Sequence, residues 1–357
     1  MTPQRDDRIV DAHGTRLACV GLAILGAACA SPPPPVEPGP DPMRNARIER
    51  LSDSVHRIAK SAWNPGRMSA ARAHAAEQGL AGHGRSEWID WFSVQQNHVI
   101  EIPGSGEGIA YLVAHVDKTD MNPLKYASVL VNGMLDEVVG FANFGQGAWD
   151  NATGTALALE VARALRDANP RLTWRVLLVG SEESGLRGSR AHVARLSQSE
   201  WQRMRFAINV DTVAKDDSPN CVIENASDEG LMAAALDHAA ATGLPLTRGE
   251  MPAGASGDHV PFSKTDFWHD FGRGLMFNMP GGLLPQRSWF TRGGSTRVLT
   301  FASCDILDWS DYLGGFLILP TGRLHGPRDR TSRVDLEKLA DLVELIEGLA
   351  LELDAQG

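Results

Sequence analysis

Cysteine is scarce, at four in 357 residues, and tyrosine is scarcer still, at three. So few thiols exclude a disulfide-framed scaffold, and the chain must hold itself together with a hydrophobic core. Positive charge is also in short supply: 34 Lys and Arg against 44 Asp and Glu leave a formal net charge of -10. Phosphate backbones need clustered cations, so no nucleic acid partner is expected. No apolar run reaches the roughly 18 residues of a membrane-spanning helix. What is there is ordinary for a globular protein, 43% hydrophobic and 22% charged residues. The length allows one large domain or two smaller ones.

The first thirty residues stand apart. An apolar stretch from Leu17 to Ala28 follows Arg5, Arg8 and Arg16 and ends at Cys29. Its length fits the core of an export signal better than a spanning helix. Leu25-Gly-Ala-Ala-Cys29 resembles a bacterial lipoprotein cleavage box, which makes Cys29 the expected lipidation site and membrane attachment its consequence. The Pro-rich Ser31–Pro42 stretch reads as an extended tether. The expected division is therefore a signal peptide at 1–28, a tether at 29–43 and a single domain at 44–357, in a protein exported to the cell envelope or secreted. In the mature chain Cys221 and Cys304 remain. An oxidising compartment could pair them, and two buried thiols fit the sequence equally well.

From Arg44 to about Gly84 the pattern is helical, with Ile48, Leu51, Val55 and Ile58 on one stripe and a break at Pro65-Gly66. Trp88, Ile89, Trp91 and Phe92 read as the start of strand sequence that continues through Asn97–Gly104. The clearest helix runs from Ala152 to Asp167, with Asp150 and Asn151 placed to cap it. A strand follows at Thr173–Val179, then a helix from about Ser189 to Leu196, then a strand ending at Asp211. This alternation argues for a largely parallel sheet covered on both faces. Ser332–Leu353 is a long amphipathic helix. The segments 120–144 and about 265–322 lack clear periodicity and read as loop insertions near the site mouth.

Chemistry enters at the strand tips. Apolar runs end in His115-Val-Asp117, in Ser181-Glu182-Glu183 and in Asn209-Val-Asp211, and Gly-Ala-Trp-Asp150-Asn151-Ala-Thr-Gly154 precedes the clear helix. Each piece alone has a bland reading: a His–Asp pair, a helix cap, a solvated turn, a charge at a sheet edge. Together they put acids at neighbouring strand ends, where self-repulsion is costly unless a cation sits among them. Open α/β sheets place ligands at that edge. Asp117, two residues from His115, could orient it as a ligand.

In order and spacing these segments resemble zinc aminopeptidase family M28, and Asn97–Gly104 resembles the family's strand ahead of the first ligand. The resemblance implies a three-layer α/β/α fold around a central mixed, mainly parallel sheet. It further implies two Zn2+ ions bridged by Asp150, one also held by His115 and Asp211, the other by Glu183 and a distant histidine. Glu182 would be the general base, which the residues alone cannot decide between it and Glu183. Leu324-His325-Gly-Pro-Arg-Asp329 stands where the family carries its last histidine, with Gly326 in place of the usual Thr, so His325 is the expected ligand. Gly257-Asp258-His259 resembles a family segment beside the site, which makes Asp258 and His259 neighbours of the ligands. The expected activity is hydrolysis of N-terminal peptide bonds in a peptide or small amide. Carboxypeptidase or glutaminyl cyclase chemistry, or a non-catalytic membrane-tethered binding domain, are the alternatives.

Overall fold

A near-unbroken apolar run predicts a strand buried on both faces, and Ile109–His115 (β3) is buried at every position. Its side chains alternate between two cores. Ala110, Leu112 and Ala114 face one, while Ile109, Tyr111 and Val113 face the other. In the computed structural model, which describes residues 41–91, 93–119, 145–252, 255–263, 296–306 and 324–356, this strand lies at the middle of an eight-stranded sheet.

The chain enters through two helices, α1 (Pro42–Ala59) and α2 (Asn64–Glu77), and then an antiparallel pair, β1 (Gly84–Trp88) and β2 (Gln96–Ile102). After β3 come α3 (Thr153–Ala168), β4 (Thr173–Val179), α4 (Arg187–Arg195), α5 (Gln198–Arg203) and β5 (Met204–Val210). The remaining elements are β6 (Asn220–Ile223), α6 (Glu229–Thr242), β7 (Thr247–Gly249), β8 (Arg297–Ser303) and α7 (Leu336–Gln356). Strand order is β1-β2-β4-β3-β5-β8-β6-β7. The inner strands β4, β3, β5 and β8 are mutually parallel, and antiparallel pairings with β2 and β6 flank them. The expected mixed, mainly parallel sheet is therefore present.

Helices cover both faces. Apolar side chains of α1, α3, α6 and α7 pack with one face of the inner strands, and Val193 of α4 with Trp201 of α5 packs on the other. Pro42–Gly357 forms one compact unit. Among the described residues no helix is long and apolar enough to cross a membrane.

Two expectations need correction. The segment read as loop from about 265 to 322 contains β8, whose residues are buried from Val298 to Ser303 between β5 and β6. Its apolar stretch is short and sits between weakly patterned neighbours, so period alone hid it. The strand expected from Trp88 onward lies earlier, at Gly84–Trp88, and Ile89–Trp91 are outside it. Cys221 and Cys304 are joined as a disulfide, with Cα atoms 5.1 Å apart. Cys29, Phe92, the insertion 120–144, and 265–295 and 307–322 of the second segment lie outside the described residues.

The order of β4, β3 and β5 has a direct consequence. From β3 the chain goes to β4 on one side and then crosses to β5 on the other. The carboxyl ends of these strands flank a topological switch point, where an open parallel sheet leaves a crevice. His115, the Gly180–Gly185 turn and Asp211 all occupy that edge.

Candidate metal centre

Asp150 joins the site together. It is 5% exposed, and its two carboxylate oxygens face different partners. Oδ1 lies 2.8 Å from His115 Nε2, and Oδ2 lies 2.7 Å from His325 Nε2. Asp211 Oδ1 is 3.3 Å from the same His115 nitrogen, and Glu183 Oε1 is 3.2 Å from the same His325 nitrogen. Two donor triads result, His115–Asp150–Asp211 and Asp150–Glu183–His325, sharing one carboxylate. Glu182 reaches the same cluster beside His115 and Glu183.

Local backbone features deliver these groups. Gly147 has a φ of +61°, and a Cβ there would meet Lys118 Cβ at 2.7 Å and the Asp150 carbonyl at 2.9 Å. Only glycine makes that turn. The Trp149 N–H donates to Asp329 at 2.6 Å, which fixes the chain one residue before Asp150. Asn151 donates to the Val210 carbonyl at 2.8 Å and accepts from the Gly154 N–H at 3.0 Å. Asn151 thus does the capping expected of the pair and ties α3 to the end of β5. Asp150 is no cap, since its side chain is committed to the two histidines. Thr155 donates to the His115 carbonyl at 2.8 Å, anchoring the end of β3 to α3.

Asp117 acts differently from its expected role. The His115 Nδ1 partner is the Asp117 backbone carbonyl, at 3.1 Å, whereas the carboxylate stands 3.6 Å from that nitrogen. At that distance it is not a hydrogen bond to His115. The Asp117 oxygens instead accept the N–H groups of Glu182 (3.1 Å) and Glu183 (3.2 Å). One buried carboxylate therefore fixes the turn that carries both glutamates. Asp211 is placed by its N–H, which donates to the Phe301 carbonyl at 3.0 Å, and its Oδ1 accepts from Thr212 at 3.1 Å.

Asp258 and His259 border this cluster. Asp258 is 1% exposed, and a Cβ on Gly257 would stand 3.0 Å from Asp211 Oδ2. His325, and not His259, supplies the histidine of the second triad. Sequence reasoning gave no role to two residues the fold brings in. Asp329 holds Trp149, and its only signal was its place after His325. Arg67 of α2 is fully buried and donates to the carbonyls of Val116, Gln146 and Gly147 at 2.6, 2.7 and 2.7 Å. Nothing distinguishes it in sequence from any other helical arginine.

The electrostatics are those of a site short of positive charge. Burial opposes a charged His115, but Glu182, Asp211, Asp117 and Asp150 outweigh it and raise its pKa well above the usual value. His325 is likewise raised, with Glu183 and Asp150 overcoming burial. Burial pushes the Glu182 carboxyl far up, and Glu183, Asp258 and Asp211 push the same way against His115. Burial, and then neighbouring acids, also lift Asp258 to about 7. Asp329 rises to about 7 through burial and the charge of Asp150. Asp150 goes the opposite way: the two histidines overcome its burial and pull it below the normal carboxylate range.

The donor set fits a pair of divalent ions. Zinc–nitrogen and zinc–oxygen bonds of about 2.0–2.2 Å put ligand atoms of a tetrahedral site about 3.3 Å apart. The His115–Asp211 and His325–Glu183 separations have that value within about 0.1 Å, and the two contacts to Asp150, at 2.8 and 2.7 Å, would open by about 0.5 Å around an ion. Imidazole and carboxylate suit zinc, and manganese or cobalt accept the same donors.

Residues 97–270 match the model of peptidase family M28. Aminopeptidase YwaD of Bacillus subtilis is 31% identical over 121 residues, covering 33% of this chain and 27% of that protein. The chain spans little more than a quarter of the length of the curated relatives it matches. Among solved structures, a glutaminyl cyclase from an Acidobacteriales bacterium aligns over 91% of this chain and 99% of its own, at 17% identity and a TM-score of 0.61. The LapA aminopeptidase of Legionella pneumophila aligns over 87% and 74%, at 15% identity and a TM-score of 0.56. These two share the fold. His115, Asp150, Glu182, Glu183 and Asp211 all fall inside the segment that matches peptidase family M28, which takes in just under half of the chain.

Proposed function

We propose that this chain is a metal-dependent aminopeptidase that holds two zinc ions, with Asp150 between them. The observation that carries the reading is the division of the Asp150 oxygens between two separate histidine–carboxylate pairs. His115 and Asp211 would complete one ion's set, and Glu183 and His325 the other's. When bound, such a pair lowers the pKa of a water and polarises the scissile carbonyl.

The chain's own groups supply the rest. Glu182 stands beside both triads, and its turn is held by Asp117, so its carboxylate can take a proton from the attacking water and return it to the leaving amine. Burial raises its proton affinity, and cations held by the neighbouring donors would bring it back towards the working range. Asp150, Glu183 and Asp211 would supply three negative charges to two divalent ions, and the net positive charge left over would favour a developing oxyanion. The family match and the aminopeptidase relative support this activity.

The fold alone does not choose the reaction, because its neighbours include an aminopeptidase and glutaminyl cyclases. The deciding assay offers the purified chain aminoacyl anilides, C-terminally exposed peptides and a peptide beginning with glutamine. Release of N-terminal amino acids, abolished by chelator and by Glu182→Gln, is the expected result. Ring closure of the glutamine peptide in place of hydrolysis, or C-terminal trimming, would replace this reading. Zinc binding without turnover on any of them would support a non-catalytic domain. Export with lipidation at Cys29 is part of the proposal, and the Cys221–Cys304 disulfide supports an oxidising compartment.

A further inference from the structure

Arg67 lies outside the family match, on the helix α2, and none of its solvent-accessible surface remains. The three carbonyls that it binds belong to two chain segments. Val116 sits between His115 and Asp117, and Gln146 and Gly147 lead into Asp150. All three acceptors are neutral. A buried guanidinium with neutral acceptors is expensive unless distant charges balance it. The acids whose fields favour it are Asp329, Asp117, Asp150 and Glu183. Two of these, Asp150 and Glu183, are expected metal ligands, and Asp117 holds the turn that carries Glu183. Burial pulls the guanidinium down to about 10, which leaves it charged at neutral pH.

The metal centre has an unusual charge problem. Asp117, Asp150, Glu182, Glu183, Asp211, Asp258 and Asp329 crowd one end of the sheet. Divalent ions resolve the crowding once they bind, but the chain has to fold and persist before they do. Before then, His115 and His325 hold protons among the acids but must give them up to the metal, so the charge that stays throughout is that of buried cationic side chains. Lys118 is one, donating to the Gly145 carbonyl at 2.7 Å. Arg67 is another, hydrogen-bonded to the segments that carry His115 and Asp150 and lying in the field of Asp117, Asp150 and Glu183.

We propose that Arg67 is a resident counter-charge for the metal-free centre, keeping the acid cluster folded and the segments of His115 and Asp150 in register until metal arrives. This rests on the metal-binding reading above. With metal bound, the same charge becomes redundant and is repelled by the ions. Its contribution is therefore larger without metal than with it, and linkage makes it weaken metal binding to the folded chain. A clamp with no electrostatic part behaves in the opposite way, because its loss loosens the ligands and weakens metal binding.

The test is thermal unfolding of the full chain with chelator and with excess zinc, for wild type, Arg67→Met and Arg67→Lys, together with zinc affinity by competition against a chelating dye. Arg67→Met loses the three hydrogen bonds in both states, so both midpoints fall. The expected signature is a metal-free midpoint that falls further than the zinc-loaded one, by about 3 °C or more. Zinc affinity of the folded Met variant rises several-fold. Arg67→Lys keeps the charge without the fork, so both midpoints fall while the gap between them stays at the wild-type value. An unchanged or narrowed gap in the Met variant, or weaker zinc binding, overturns the inference. Should the Met variant fold in neither state, the Lys variant decides, and a gap wider than wild type overturns it. A wild-type midpoint that ignores zinc removes the metal reading first and this inference with it.

Discussion

Replacing Asp117 with Asn changes one atom at a residue that is expected to touch neither metal nor substrate. The Asp117 carboxylate is 1% exposed and accepts two backbone N–H groups, from Glu182 at 3.1 Å and Glu183 at 3.2 Å. Those N–H groups lie in a turn just past β4, where no ladder partner serves them. A hydrogen bond to a charged acceptor is worth about 1.5–3 kcal/mol. Asn keeps one acceptor oxygen but turns its NH2 group towards the second N–H. The variant therefore loses one charged bond outright, weakens the other and leaves a buried donor unmatched, for a total of about 2–4 kcal/mol. Because the affected turn carries both the proposed base and a proposed ligand, much of that loss should appear in the centre. Zinc affinity is expected to fall about 10- to 100-fold, in line with other groups that orient ligands without touching the metal. The kcat on an aminoacyl anilide at saturating zinc should fall by a similar factor, with KM changing little. Chelator-dye competition and steady-state kinetics measure both. An Asn variant that keeps zinc affinity and kcat within about threefold of wild type would falsify the claim that Asp117 positions this turn.

Two further outcomes follow from the same geometry. His325→Ala should remove one zinc equivalent as counted by atomic absorption, and His259→Ala should retain both, because His325 lies 2.7 Å from Asp150 and 3.2 Å from Glu183, whereas His259 belongs to none of the donor groups among the described residues. Full zinc content in the His325 variant sinks that assignment. The chelated chain should unfold at a lower temperature near pH 7.5 than near pH 5.5. Asp258 and Asp329, raised from 3.8 to about 7, contribute stability below their unfolded pKa that is lost as pH rises through about 7. The raised His115 and His325 add a loss that begins above 6.5, while the lowered Asp150 adds only a term already complete above 3.8. Zinc should reverse the slope, since it displaces those histidine protons and binds better as pH rises. A chelated chain that is more stable near pH 7.5 contradicts the assigned directions.

How much of this could be read in advance depends on the range of each interaction. Thr173–Val179 is a strand at the residues its apolar run marked, and α3 starts within a residue of expectation, because local period and burial agree there. β1 carries the polar sequence Gly-Arg-Ser-Glu-Trp at the edge of the sheet, so no apolar signal announced it. β8 was hidden for the opposite reason: its burial comes from β5 and β6 on either side, not from a pattern of its own. The centre divides in the same way. The five residues expected to be donors or base, at strand tips and before α3, were legible because each follows directly from a recognisable element. His325 needed the family's pattern, since no spacing in the chain relates a residue after β8 to Asp150.

Least legible were the residues that hold the donors in place. Asp117 lies two residues from His115, and the natural local inference was that its carboxylate serves that ring. The carboxylate serves β4's turn instead, 65 and 66 residues away in sequence. Arg67 reaches Val116 across 49 residues and Gly147 across 80. Both cases have one physical cause. Chain leaving a buried strand or entering a helix sheds its ladder partners, and buried N–H and C=O groups must then find others. Which side chain answers is decided by three-dimensional neighbours. Apart from His325, the identity of the expected donors is therefore written locally in this chain, and their geometry is written in contacts between elements that the sequence keeps far apart.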